Sequence, residues 1–156
     1  MDVNVIVEIP KGSRNKYELD PASGRIKLDR VLYSSIHYPA DYGFIDNTLA
    51  GDGDALDALV LIEEPTFPCC LIACHPIGVF LMHDEQGEDE KILCVPQADP
   101  SWNHINELEQ LSPHLLREIE HFFQTYKDLE GKPTATFGWQ GRTEAESAVR
   151  AATIPR

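Results

Sequence analysis

Apolar positions dominate Val3-Asn4-Val5-Ile6-Val7-Glu8, and the run predicts a strand. Lys16-Tyr17-Glu18-Leu19 alternates in polarity, Asp20-Pro21-Ala22-Ser23-Gly24 carries turn residues, and Arg25-Ile26-Lys27-Leu28-Asp29-Arg30 alternates again. That order predicts a β-hairpin. Ala58–Ile62, Pro76–Met82 and Lys91–Val95 are short apolar runs suited to buried strands, with the acidic loop Asp84–Glu90 between the last two. His37–Ile45 reads as an aromatic loop, interrupted by Pro39 and Gly43. The last third changes period. Leu115, Ile119, Phe122, Tyr126 and Leu129 recur at helical spacing behind Ser112 as N-cap and Pro113 at the first helical position, and Gly131 is placed to close the end. A second helix is expected from Thr143, with Glu146 completing a capping box and Ala145, Ala148, Val149 and Ala152 forming a small apolar stripe. Closely spaced strands followed by helices predict an α+β fold. Its body is a small closed, antiparallel-type (OB-like) β-barrel flanked by two C-terminal helices, in one domain over residues 1–156.

Composition narrows the functional classes. The formal net charge of −13 over 156 residues argues against a nucleic-acid groove, where phosphate neutralisation dominates affinity. The same charge suits metal cations, and an anionic substrate would then need local Lys, Arg or metal ions. No apolar stretch approaches the roughly 20 residues of a membrane span. The N-terminus lacks a basic segment followed by an apolar run, so a cytoplasmic location is expected. Cys69, Cys70, Cys74 and Cys94 have no zinc-site spacing and read as reduced thiols.

The candidate chemistry lies in the acids. Asp52-Gly53-Asp54-Ala55-Leu56-Asp57 packs three carboxylates into six residues and runs directly into an apolar strand. It is not an EF-hand, because Leu56 stands at the third ligand position. Asp84 and Asp89 repeat the five-residue spacing of Asp52 and Asp57, and Glu8 and Glu18 lie in strands. Two acidic loops converging on one sheet edge make an oxygen-only site, which favours Mg²⁺ or Mn²⁺ over zinc. Basic residues recur beside these acids. Lys16 shares a strand face with Glu18, Lys91 follows Asp89 by two, Arg30 ends a strand, and Lys127 follows Tyr126 near the end of the long helix. Taken singly each is an ordinary surface charge; together they describe metals and cations holding a polyanion. Tyr38 and Tyr42 add hydroxyl donors.

The ordered set Glu8-Ile9-Pro10, Asn15-Lys16-Tyr17-Glu18, Asp29-Arg30, Tyr38-Pro39, Asp41–Ile45, Asp52-Gly53-Asp54 with Asp57, Asp84-Glu85 with Asp89 and Lys91, and Tyr126–Glu130 resembles the soluble family I inorganic pyrophosphatases, most of all their compact bacterial members. The resemblance implies hydrolysis of inorganic pyrophosphate to two orthophosphates at a multi-Mg²⁺ carboxylate site. Glu8, Asp52, Asp57, Asp84 and Asp89 would hold metal, and Asp54, or alternatively Asp89, would accept the proton. Lys16, Arg30, Tyr42, Tyr126 and Lys127 would grip phosphate. Glu18, Tyr38, Glu85 and Lys91 would act through water or through neighbouring groups. A homohexamer is also implied, with contacts near His121 and Asp128. Two positions depart from the family pattern: Ala55 stands where proline is common, and Gly131–Ala135 is a residue short. The rival readings are a Mg²⁺-dependent phosphohydrolase acting on nucleotides, a non-enzymatic divalent-cation-binding module, and an oligonucleotide-binding barrel, which the charge disfavours.

Overall fold

A computed structural model describes residues 1–155. The strands are β1 (Val3–Ile9), β2 (Asn15–Asp20), β3 (Arg25–Val31), β4 (Asp41–Ile45), β5 (Asp57–Val60), β6 (Leu71–Asp84), β7 (Gly87–Glu88), β8 (Lys91–Pro96) and β9 (Ala135–Gln140). The helices are α1 (Pro113–Thr125) and α2 (Arg142–Ala152). Strand order β1-β4-β5-β8-β6 closes on itself because β1 also pairs with β6, giving the expected small closed barrel, here of five strands. All of these pairings are antiparallel except β5 with β8, which run parallel. The β2–β3 hairpin forms a separate two-stranded sheet.

The uninterrupted apolar runs follow from burial on both sheet faces. Leu59, Leu61, Leu93 and Val95 pack in one cluster with Ile119, Phe122 and Phe123 of α1. Their neighbours Ala58, Val60, Ile92 and Cys94 pack in another with Ala145, Val149 and Ala152 of α2. Gly43 permits the tight approach of β4 to β1. A Cβ there would lie 1.9 Å from the Ile6 carbonyl oxygen, far inside van der Waals contact.

Five local expectations are corrected. The His37–Ile45 segment is not all loop: Asp41–Ile45 forms β4, between β1 and β5. β6 starts at Leu71 rather than Pro76, because Leu71–Cys74 pairs with β1. Pro76, which has no N–H, is tolerated at a bulge before Gly78. β9 had no clear alternating signal, since Gly138 (φ 89°) lies in its middle, at a bulge against Leu81 and Met82. α1 stops at Thr125, so Leu129 falls in a 3₁₀ turn, Asp128–Glu130, and is 68% exposed. Gly131, left-handed at φ 71°, closes that turn and not the helix. α2 starts at Arg142 with Gly141 as N-cap, so the capping box from Thr143 does not form.

Candidate active site

The acidic loop is shaped by its own short-range hydrogen bonds. Asp52 Oδ1 accepts from the Asp54 amide at 3.0 Å, and Gly53 supplies the positive φ (89°) of the turn. The buried Thr48 hydroxyl joins the loop's two ends, donating to the Ile45 carbonyl at 2.6 Å and accepting from the Leu56 amide at 2.9 Å. The loop delivers Asp57 at the start of β5. Opposite it, the β6–β8 connection is held by Asp84 Oδ1, which accepts from the Gln86 amide at 2.8 Å, and by the Asp89 amide donating to the Met82 carbonyl at 2.9 Å.

The parallel register of β5 and β8 sets Asp57 against Lys91. Lys91 is 2% exposed. Its Nζ donates to Asp57 Oδ2 at 2.9 Å, to Asp89 Oδ2 at 2.8 Å and to the Tyr42 hydroxyl. The ammonium also sits 5.1 Å from the Tyr42 ring centroid and 5.3 Å from that of Phe123. This lysine is therefore a buried hub, not a surface charge. The other cations are also paired. Lys16 Nζ lies 3.1 Å from Asp29 and 3.5 Å from Glu18, while Lys127 Nζ lies 3.1 Å from Glu85 and 3.4 Å from Asp84. Arg30 contacts Asp29 at 2.6 Å and Glu130 at 2.8 Å. Glu8 Oε2 accepts from the Leu19 amide at 2.8 Å, which ties β1 to the hairpin.

The acids of the two loops, Glu8 and the lysines and arginine above face one cavity of about 310 Å³. Its lining includes Glu8, Lys16, Glu18, Arg30, Tyr38, Tyr42, Asp52, Asp54, Asp57, Asp84, Glu85, Asp89, Lys91, Tyr126 and Lys127, every candidate residue read from the sequence. Asp29, Gln86 and Lys132 also line it and had been given no role. Asp29 carried a signal in its place beside Arg30. Gln86 and Lys132 carried none, since both stand in connections whose path the sequence leaves open.

The lining holds nine carboxylates against five cationic side chains, and the protonation equilibria reflect that excess. Burial, reinforced by the Asp57 charge and opposed by Lys91, pushes Asp89 up to about 7. Asp57 moves the other way: burial disfavours its charge, but the Lys91 ammonium outweighs burial and holds it below the usual carboxylate range. The two acids thus titrate as a coupled pair, with Asp89 raised and Asp57 lowered around the shared Lys91 ammonium. Burial also lifts Glu8 to about 7, with Asp57 and Glu18 adding repulsion against the Leu19 amide. Asp54 is raised by partial burial and by Asp52 and Asp57.

Acids that retain protons near neutrality mark a place where positive charge is lacking. The donor set is carboxylate oxygen, which suits Mg²⁺ or Mn²⁺. Among the described residues no three acidic, histidine or cysteine side chains are drawn close enough to enclose an ion by themselves. Mg²⁺ characteristically keeps several waters and shares its remaining positions with substrate phosphates, so carboxylates spread around an open cavity fit it.

Barrel, hairpin and lining together define a cavity in which carboxylates and cations alternate, a chemistry that suits divalent metal and a polyanion. Comparison with known proteins narrows this class. The family model for inorganic pyrophosphatase matches residues 5–154. An inorganic pyrophosphatase of Methanosarcina acetivorans is 59% identical over 149 residues, covering 96% of this chain and 89% of that one. One from Streptomyces coelicolor is 56% identical over 150 residues, covering 96% and 92%. The crystal structure of the Thermus thermophilus inorganic pyrophosphatase matches with a TM-score of 0.94 at 45% identity, over 97% of this chain and 88% of that one. The chain belongs to the inorganic pyrophosphatase family.

Proposed function

We propose that this cavity hydrolyses inorganic pyrophosphate to two orthophosphates with the help of bound Mg²⁺, for which Mn²⁺ can substitute. The observation that carries the reading is the convergence of all fifteen candidate residues on one cavity, in a chain of this family. Glu8, Asp52, Asp57, Asp84 and Asp89 would hold the divalent ions, which when bound polarise phosphate oxygens and lower the pKa of an attacking water.

The protein's own groups supply the rest. Asp54 is the candidate proton acceptor. Among the described residues its carboxylate takes part in no hydrogen bond, whereas Asp89 Oδ2 is committed to Lys91. Lys16, Arg30 and Lys127 are each paired with an acid at the cavity, and phosphate oxygens compete for the same donors. They absorb charge on the transferring and leaving groups. Tyr42 and Tyr126 present hydroxyls at the same wall. Lys91 keeps the Asp57 and Asp89 carboxylates in register, and Glu85 and Glu18 steady Lys127 and Lys16.

Residues 1–156 act as one catalytic domain in this reading. A homohexamer with contacts near His121 and Asp128, and a cytoplasmic location, complete it. No helix among the described residues is long and apolar enough to cross a membrane. The test is phosphate release from pyrophosphate, ATP and a phosphomonoester, each with Mg²⁺, Mn²⁺ or EDTA. Pyrophosphate turnover that needs the metal is expected. Preference for ATP, or equal turnover in EDTA, would overturn the reading. Sedimentation of the purified protein decides the hexamer.

A further inference from the structure

Arg30 ends β3 between two carboxylates. Asp29 Oδ2 accepts from Nη1 at 2.6 Å, and Glu130 Oε1 lies 2.8 Å from Nε. The partners differ in setting. The Asp29 side chain is 29% exposed, that of Glu130 only 4%. Glu130 closes the 3₁₀ turn that follows Tyr126 and Lys127, so the pair links the hairpin to the end of α1.

The Glu130 contact is close but poorly aligned. Arg30 Nε and Nη2 and Glu130 Oε2 are all buried without a hydrogen-bond partner among the described residues. Buried ion pairs with unmet donors and acceptors are weak stabilisers, and apolar replacements of similar volume often match them. Stability therefore gives little reason to place an acid here. Orientation gives one. Two carboxylates on separate elements hold the guanidinium from two sides, Asp29 by a hydrogen bond from Nη1 and Glu130 by charge at 2.8 Å.

We propose that Glu130 is a positioning residue, which holds the Arg30 guanidinium at the cavity wall in the orientation that meets a phosphate oxygen and which couples Arg30 to the turn carrying Lys127. The proposal rests on the reading that Arg30 binds pyrophosphate. Glu130 itself does not line the cavity and acts only through Arg30.

The test is a double-mutant cycle on hydrolysis of pyrophosphate with Mg²⁺, using wild type, E130Q, R30Q and E130Q/R30Q. E130Q should lower kcat/KM on the order of tenfold. In the R30Q background the same change should alter kcat/KM less than twofold, because the group it positions is gone. A purely structural role lowers kcat/KM by the same factor in both backgrounds, and that result overturns the proposal, as does wild-type kcat/KM for E130Q beside an impaired R30Q. Wild-type kcat/KM for R30Q instead removes the assignment of Arg30 itself. Thermal melts establish that each variant is folded. Should E130Q not fold, the cycle is run with E130D, whose loss must likewise vanish in the R30Q background.

Discussion

Replacing Lys91 with methionine removes the ammonium at the centre of the cavity and keeps most of the stem. In the wild type that ammonium is 2% exposed and lies 2.9 and 2.8 Å from the Asp57 and Asp89 carboxylates. At an effective dielectric constant of about 20, each such contact is worth roughly 6 kcal/mol before the cost of desolvation. Removing one partner of a buried pair, and leaving the other charge behind, costs about 3–5 kcal/mol. Asp57 is 28% exposed and gains some hydration in return, so the lower end applies, about 3 kcal/mol. With a urea slope near 2 kcal/mol/M, the unfolding midpoint in EDTA at pH 8 should fall by about 1.5 M. Trp139, packed on Phe80, is a suitable fluorescent reporter.

The pH dependence has a definite sign. In the wild type Lys91 depresses Asp57, which therefore adds stability above its unfolded pKa of about 3.8. In K91M neither acid has a cation, and both are raised. The folded state then binds protons that the unfolded chain has released, so stability falls as pH rises from about 4 towards 8. The deficit should be small at pH 5 and largest at pH 8. Mg²⁺, which places a dication among the same carboxylates, should stabilise K91M more than wild type. Coincident midpoints in EDTA at pH 8, or a larger deficit at pH 5, would refute the reasoning.

Three further outcomes are expected. Asp54→Asn should keep Mg²⁺ affinity, measured by calorimetry, yet lose about 10²–10⁴-fold in turnover at neutral pH; near-normal turnover moves the proton acceptor to Asp89. Glu8 is raised from 4.5 to about 7, so the metal-free protein loses stability as pH climbs between those values. Glu8→Gln, which keeps an oxygen for the Leu19 amide, should therefore be the more stable protein in EDTA at pH 8, by up to about 3 kcal/mol, and indistinguishable at pH 4. Thr48→Val removes the hydroxyl that joins the two ends of the acidic loop and should cost about 1–3 kcal/mol, read by urea unfolding. It should also weaken Mg²⁺ binding, and Thr48→Ser should restore both.

What spacing alone announced and what it concealed divide along one physical line. Helix α1 was legible because a single residue pattern, Ser112-Pro113 followed by Leu115, Ile119 and Phe122, sets both its start and its buried face. The β2–β3 hairpin was legible because its turn residues and both alternating strands are contiguous, and the expected Lys16–Glu18 neighbourhood appears as a 3.5 Å ion pair. β9 and the first half of β6 were not, because each is made a strand by a partner far away in sequence.

The same line runs through the site. Lys91 and Asp89 are two apart, so their common face could be read directly. Asp57 comes to Lys91 across 34 residues, through a parallel pairing that no local pattern specifies. A lysine flanked by acids looks solvated for that reason, until tertiary structure buries it between them. Glu130 is the stronger case. Its motif Tyr126–Glu130 was visible, but its partner Arg30 lies one hundred residues earlier, and Leu129 had been assigned to a helix face that ends before it. Ligand-type residues announce themselves by clustering in short loops. The groups that hold them in place are single residues with distant partners, and the cost of moving such a residue is set by what it touches. Lys91 and Glu130 are therefore where substitution should separate metal affinity, orientation and stability most cleanly.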